Sequence, residues 1–196
     1  ILDLLCCLGT YFDCASENEI KSVIEYTNDP DKIIFANPCK MSSQIKYARA
    51  NDVDMMTFDC EEELYKIKLY HPYSKLLLRL AVDDSNSICQ FNSKFGCKLE
   101  NVEKLITLMN TLNLNLVGFS FHVGSGCRSL DNYYNAIKTC REAYDLAIKN
   151  NININVTISI GGTMFQEDED VNETIHRADQ LMYQSKQNGK NQSTIK

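Results

Sequence analysis

Short apolar runs that alternate with longer amphipathic segments constrain this chain more than any other feature. The runs cover residues 11–14, 33–37, 55–59, 76–82, 116–123 and 154–160. They are rich in β-branched, leucine and aromatic residues and apolar on both faces, which is the pattern of parallel strands covered on both sides. The segments between them carry apolar residues at helical spacing. In 101–112, Val102, Leu105, Ile106, Met109 and Leu112 fall on one stripe; in 171–186, Val171, Thr174, Ile175, Ala178, Leu181 and Met182 do the same. Further helices are predicted over 18–26, 42–50, 61–69 and 130–149. Ser16, with Glu19 three residues on, reads as the capping box of the first.

Strand, helix and strand repeating in this way make βαβ units and a mainly parallel sheet. Either a (β/α) barrel or an open doubly wound sheet satisfies the pattern. In both, ligands bind at the carboxyl ends of the strands. The residues that close the runs are therefore the candidates: Asp13, Asn37, Asp59, Arg79, His122 with Gly124-Ser125-Gly126, and Gly161-Gly162.

Composition narrows the function classes. A length of 196 residues allows one good-sized domain or two small ones, and 44% hydrophobic with 23% charged residues describes a soluble globular protein. The net charge of −6 argues against nucleic acid as a partner. No apolar run reaches the ~18–20 residues of a membrane span. The nine cysteines lack Cys-x-x-Cys and zinc-site spacing, and no secretory signal precedes them. Reduced thiols in a cytoplasmic protein, with no metal site, are the expectation. The chain opens on Ile1 without an initiator Met, which reads as a start inside a longer protein.

Each candidate has a chemical and a structural reading. His122 followed by Gly124-Ser125-Gly126 offers backbone N–H groups and a hydroxyl to an anion, or is a core histidine before a glycine turn. Arg79, inside the apolar run Leu76-Leu-Leu-Arg-Leu-Ala-Val82, needs either an anionic ligand or a carboxylate such as Asp13, Asp83 or Asp84. Asp13 and Asp59 suit acid–base work or the capping of the next helix. Gly161 and Gly162 permit close approach to a phosphate or make a plain turn. Lys186 and Lys190 offset a helix dipole, with phosphate contact as the alternative.

The motifs Phe12-Asp-Cys-Ala-Ser16, Ile33-Ile-Phe-Ala-Asn-Pro-Cys-Lys40, Ser43-Gln-Ile-Lys-Tyr-Ala48, Met55-Met-Thr-Phe-Asp59, Leu78-Arg-Leu-Ala-Val-Asp-Asp-Ser85, Lys94-Phe-Gly96 and Ser120-Phe-His-Val-Gly-Ser-Gly-Cys127 stand in an order that resembles the ornithine decarboxylase family over residues 1–153. The resemblance implies part of a (β/α)₈ barrel, strands two to six, that binds pyridoxal 5′-phosphate and decarboxylates a basic amino acid. It implies that His122 stacks on the pyridine ring and that Ser125, in the turn Gly124 to Gly126, holds the phosphate. Arg79 and Asp13 are lesser groups near the cofactor, and Gly161 and Gly162 stand where the family's seventh strand carries its glycines. Lys94 belongs to the homodimer interface. Residues 40–66 fall where animal members bind antizyme. The family's Schiff-base lysine, its eighth strand, the carboxylate that pairs with the pyridine nitrogen and the C-terminal β-domain are absent from the matching residues. The expectation is a chain inactive by itself.

Residues 154–196 depart from that pattern. Val156-Thr-Ile-Ser-Ile-Gly161, Arg177-Ala-Asp-Gln-Leu-Met-Tyr183 and Lys186-Gln-Asn-Gly-Lys-Asn191 resemble the end of a GGDEF diguanylate cyclase domain, a strand–helix–strand segment. By that likeness Lys186 and Lys190 touch nucleotide phosphates, although the GGDEF turn and its metal-binding acids are missing. Three functions follow: a portion of a decarboxylase of polyamine biosynthesis, a non-catalytic regulator like the antizyme inhibitors, and a cyclic-dinucleotide signalling protein.

Overall fold

The computed structural model describes residues 1–152, 154, 160–164, 170–189 and 192–195. The chain divides into two compact units, Ile1–Ile154 and Asn155–Lys196.

The first unit runs α1 (Leu2–Cys7), β1 (Phe12–Cys14), α2 (Glu17–Thr27), β2 (Ile33–Phe35), α3 (Ser42–Ala50), β3 (Met55–Phe58), α4 (Glu61–Tyr70), β4 (Lys75–Leu80), α5 (Leu99–Thr111), β5 (Asn115–Phe121) and α6 (Leu130–Lys149). Its five strands form one sheet in the order β1-β2-β3-β4-β5, each parallel to the next. A doubly wound sheet reverses direction at a switch point, whereas a (β/α) barrel adds each strand on the same side. The order is therefore that of a partial barrel, and it decides between the two architectures.

The core lies between the sheet and its helices. Ile33, Phe35, Met56, Phe58, Leu76 and Leu78 are buried in one cluster with Ile20, Ile45, Leu64, Ile67, Val102 and Ile106 from the helices. Alternate strand residues are only partly covered, so that β4 is buried at every second position along its length. The expectation of full cover on both faces is corrected here: one face is packed, and the other is only partly covered.

Local chemistry sets the element ends. Ser16 Oγ accepts from the Glu19 N–H at 3.3 Å and starts α2, while Glu19 Oε2 accepts from the Ala15 N–H at 2.5 Å. Asn28, in the left-handed region at φ 49°, ends that helix. α6 has the bounds expected from its periodicity. β2 stops at Phe35, two residues before the expected Asn37, because the Asn37 carbonyl accepts from Lys40 Nζ (3.1 Å). α1 was not foreseen; its Leu2, Leu5 and Cys6 lean on the core. Among the described residues no helix is long and apolar enough to cross a membrane.

The second unit pairs β6 (Ile160–Gly162) with β7 (Ser193–Ile195) in parallel, joined by α7 (Val171–Gln187). Of the expected strand 154–160, residues 155–159 lie outside the described residues. Asp170 caps α7 by accepting from the Asn172 N–H at 2.7 Å. Arg177 holds the segment after β6, donating to Thr163 Oγ1 (2.8 Å) and the Met164 carbonyl (2.7 Å).

Candidate functional site

The half-open face of the first unit ends in a cavity of about 270 Å³ at the carboxyl ends of the strands. Asp13, Asn37, Arg79, Phe91, Phe95 and His122 line it, with Ala36 and Pro38 in its wall. Four residues that the sequence offered from separate strands, Asp13, Asn37, Arg79 and His122, are thus brought together. Phe91 and Phe95 were not anticipated. They arrive on the irregular segment 81–98, where no periodicity signals burial and only their spacing around Lys94 marks them.

Arg79 is half-buried, and its guanidinium lies 5.1 Å from the centre of the Phe95 ring. Burial pushes its pKa below the ordinary arginine range, against the pull of the Asp59 and Asp13 carboxylates. Among the described residues the guanidinium has no hydrogen bond and no ion pair. Of the three carboxylates offered to it by the sequence, Asp13 lines the same cavity and the other two are occupied. Asp83 Oδ1 accepts from the Ser85 N–H (3.0 Å), and Asp84 Oδ2 from the Phe91 (2.5 Å) and Asn92 (2.8 Å) N–H groups. Asp59 does not cap α4; it accepts from the Gly96 N–H at 2.8 Å. Ser120 pairs with Arg79 in the sheet register, and its Oγ is buried without a hydrogen-bond partner among the described residues.

His122 meets Phe91 edge-to-face, ring centroids 5.0 Å apart and planes at 79°. Its Nδ1 accepts the Gly124 N–H at 2.9 Å. In the neutral ring this leaves the proton on Nε2, which is the free donor. The turn after it is more committed than the sequence suggested. The Ser125 N–H donates to the Cys89 carbonyl (3.0 Å), and its carbonyl accepts from Cys89 N–H (3.1 Å). Gly124 and Gly126 take positive φ values of 84° and 71°, and a Cβ on Gly124 would lie 2.5 Å from Ser87 Cβ. The glycines therefore serve close packing against segment 85–89. Two of the turn's three N–H groups are engaged, which leaves the exposed Ser125 hydroxyl and the Gly126 N–H as donors.

The remaining candidates lie elsewhere. Lys94 is exposed on segment 81–98. Gly161 and Gly162 are in β6 of the second unit, in register with Thr194 and Ile195. Lys186 is exposed near the end of α7, and Lys190 lies outside the described residues. Among the described residues no group of three His, Cys, Asp or Glu side chains could hold a metal ion.

A second charged cluster abuts the cavity wall. Lys40 is 1% exposed, and its ammonium meets the Asn37 carbonyl (3.1 Å), the Thr57 carbonyl (2.5 Å) and Glu63 Oε1 (2.8 Å). Glu63, equally buried, also pairs with Lys66 (2.6 Å), whose ammonium donates to the Lys40 carbonyl (2.6 Å). Burial lowers the Lys40 pKa, and Glu63 opposes that shift.

Comparison with known proteins gives the family. The family described as pyridoxal-dependent decarboxylase, pyridoxal binding domain, matches residues 1–195. The chain belongs to this family. A probable ornithine decarboxylase of Dictyostelium discoideum is 44% identical over 172 residues, 88% of this chain and 37% of that protein. Antizyme inhibitor 2 of Xenopus laevis is 44% identical over 147 residues, 75% of this chain and 32% of that protein. The solved arginine decarboxylase of Paramecium bursaria Chlorella virus, bound to agmatine, superposes with a TM-score of 0.79 at 35% identity, covering 99% of this chain and 52% of its own. The chain thus spans about a third of the length of the curated relatives and about half of the solved one.

Proposed function

We propose that this chain is the cofactor-binding portion of a decarboxylase that acts on ornithine or a related basic amino acid, with pyridoxal 5′-phosphate as the group held at the strand-end cavity. The observation that carries the reading is the half-buried, unpaired Arg79 guanidinium in a cavity that also presents the His122 imidazole and two phenylalanine rings. Such a lining fits a flat, aromatic, anionic ligand.

In this reading His122 packs on the pyridine ring and presents its Nε2–H. Ser125 Oγ and the Gly126 N–H hold the phosphate, Arg79 supplies positive charge, and Asp13 lies near the ring's polar edge. Bound pyridoxal phosphate supplies the electron sink that decarboxylation of an amino acid requires. The residues of this chain bind and orient it. The proposal extends to a homodimer with Lys94 at its interface and to a cytoplasmic setting.

The test uses pyridoxamine 5′-phosphate, which keeps ring and phosphate but has no aldehyde to react with surface lysines. The chain binds it saturably, and His122→Ala weakens binding about tenfold or more, ~1.4 kcal/mol. Equal binding by both proteins would refute the assignment.

A second reading, a non-catalytic regulator that binds antizyme through about residues 40–66, is favoured by the likeness to an antizyme inhibitor. Antizyme capture without any pyridoxamine phosphate binding selects it. The nucleotide reading of the tail rests on Lys186 and Lys190 alone, and the family match through residue 195 speaks for the tail as part of the decarboxylase domain.

A further inference from the structure

Lys40 is a costly residue in its place. A fully buried ammonium has lost its hydration, and its attraction to Glu63 offsets that loss only with every donor matched. Here the match is complete: three donors, three acceptors. Nothing in the proposed function uses this group, and replacing a buried ion pair by apolar residues of similar volume is often neutral for stability.

What the pair does is visible in its partners. Segment 36–40 leaves β2 and turns back at once. The Ala36 N–H donates to the Cys14 carbonyl (2.8 Å), and its carbonyl accepts from Thr57 Oγ1 (2.7 Å). Asn37 Oδ1 accepts from the Cys39 N–H (3.2 Å), and the Asn37 carbonyl from Lys40 Nζ (3.1 Å). Glu63 in turn accepts from the Lys40 backbone N–H (3.3 Å). The residues so clamped, Ala36, Asn37 and Pro38, are the wall of the His122–Arg79 cavity.

We infer that the buried Lys40–Glu63 pair is a positioning element of the cavity: it fixes the Ala36–Asn37–Pro38 wall against β3 and α4, and so sets the width available to the ligand. This rests on the reading of that cavity as the cofactor site.

The experiment compares the full chain with Lys40→Met/Glu63→Leu, Thr57→Val and His122→Ala, measuring pyridoxamine 5′-phosphate affinity and the urea unfolding midpoint of each. The double variant keeps the wild-type midpoint and binds about tenfold more weakly. Thr57→Val, which releases only the Ala36 clamp and carries no charge change, binds about threefold more weakly; it decides the matter should the double variant fail to fold. Weaker binding in His122→Ala with wild-type affinity in the wall variants overturns this inference and leaves the site reading intact. Wild-type affinity in all three overturns both.

Discussion

Two cations of the first unit, Lys40 after β2 and Arg79 in β4, differ in the kind of surroundings they have. Lys40 is wholly buried, with an acceptor for each proton and a carboxylate in contact. Arg79 is half-buried, rests on Phe95, and has neither hydrogen bond nor ion pair among the described residues. Both face burial that pushes their pKa down. A folded chain matches its buried charges unless something else is to match them. The saturated cluster belongs to the architecture, and in the proposed function the unsaturated one is where the anionic ligand goes.

The largest effect that would break this contrast is on the saturated side. Glu63→Ala leaves Lys40 buried without its counter-charge and lowers unfolding free energy by about 3–5 kcal/mol in urea denaturation. A loss no larger than that of an exposed ion pair, about 0–1 kcal/mol, would mean that Lys40 is not held as described.

A smaller effect sharpens the unsaturated side. Cys60 and Cys97 flank Asp59, and burial with that negative charge raises each thiol from 9.0 to about 11. A raised thiol pKa keeps the unreactive protonated form, so labelling by iodoacetamide accelerates only as pH climbs from 9.0 towards about 11. Exposed Cys39 is labelled before Cys60 and Cys97 at pH 8, as site-resolved mass spectrometry will show. Equal rates at the three thiols would mean that the Asp59 end of the cluster is open to water.

The sequence made the sheet and most of the cavity legible for a physical reason. Strands with buried alternate residues and helices with long apolar stripes repeat a pattern, and α6 was bounded correctly because its 20 residues carry that pattern from end to end. α1, six residues long, has too little of it to be read. Asp13, Asn37, Arg79 and His122 were found because a polar residue at the close of an apolar run is conspicuous. Phe91 and Phe95 were missed because an irregular segment places them, and the hydrogen bonds that its backbone N–H groups donate to Asp84 leave no trace in periodicity. Lys40 was missed because a lysine near a proline reads as solvent-facing. Only the fold reveals Glu63 beside it, 23 residues on. The turn from Gly124 to Gly126 was read as an anion cradle, and its glycines turn out to serve first the contact with Ser87 and Ile88.

The most direct test is the unfolding temperature of the wild-type chain and of Arg79→Met, each with and without saturating pyridoxamine 5′-phosphate. A ligand that binds only the folded state raises that temperature. Arg79→Met without ligand is expected to unfold within about 1 kcal/mol of wild type, since it loses the contact with the Phe95 ring but no hydrogen bond or ion pair, and the ligand to stabilise wild type but not the variant. An Arg79→Met chain that is strongly destabilised without ligand, or that the ligand stabilises as much as wild type, would contradict it.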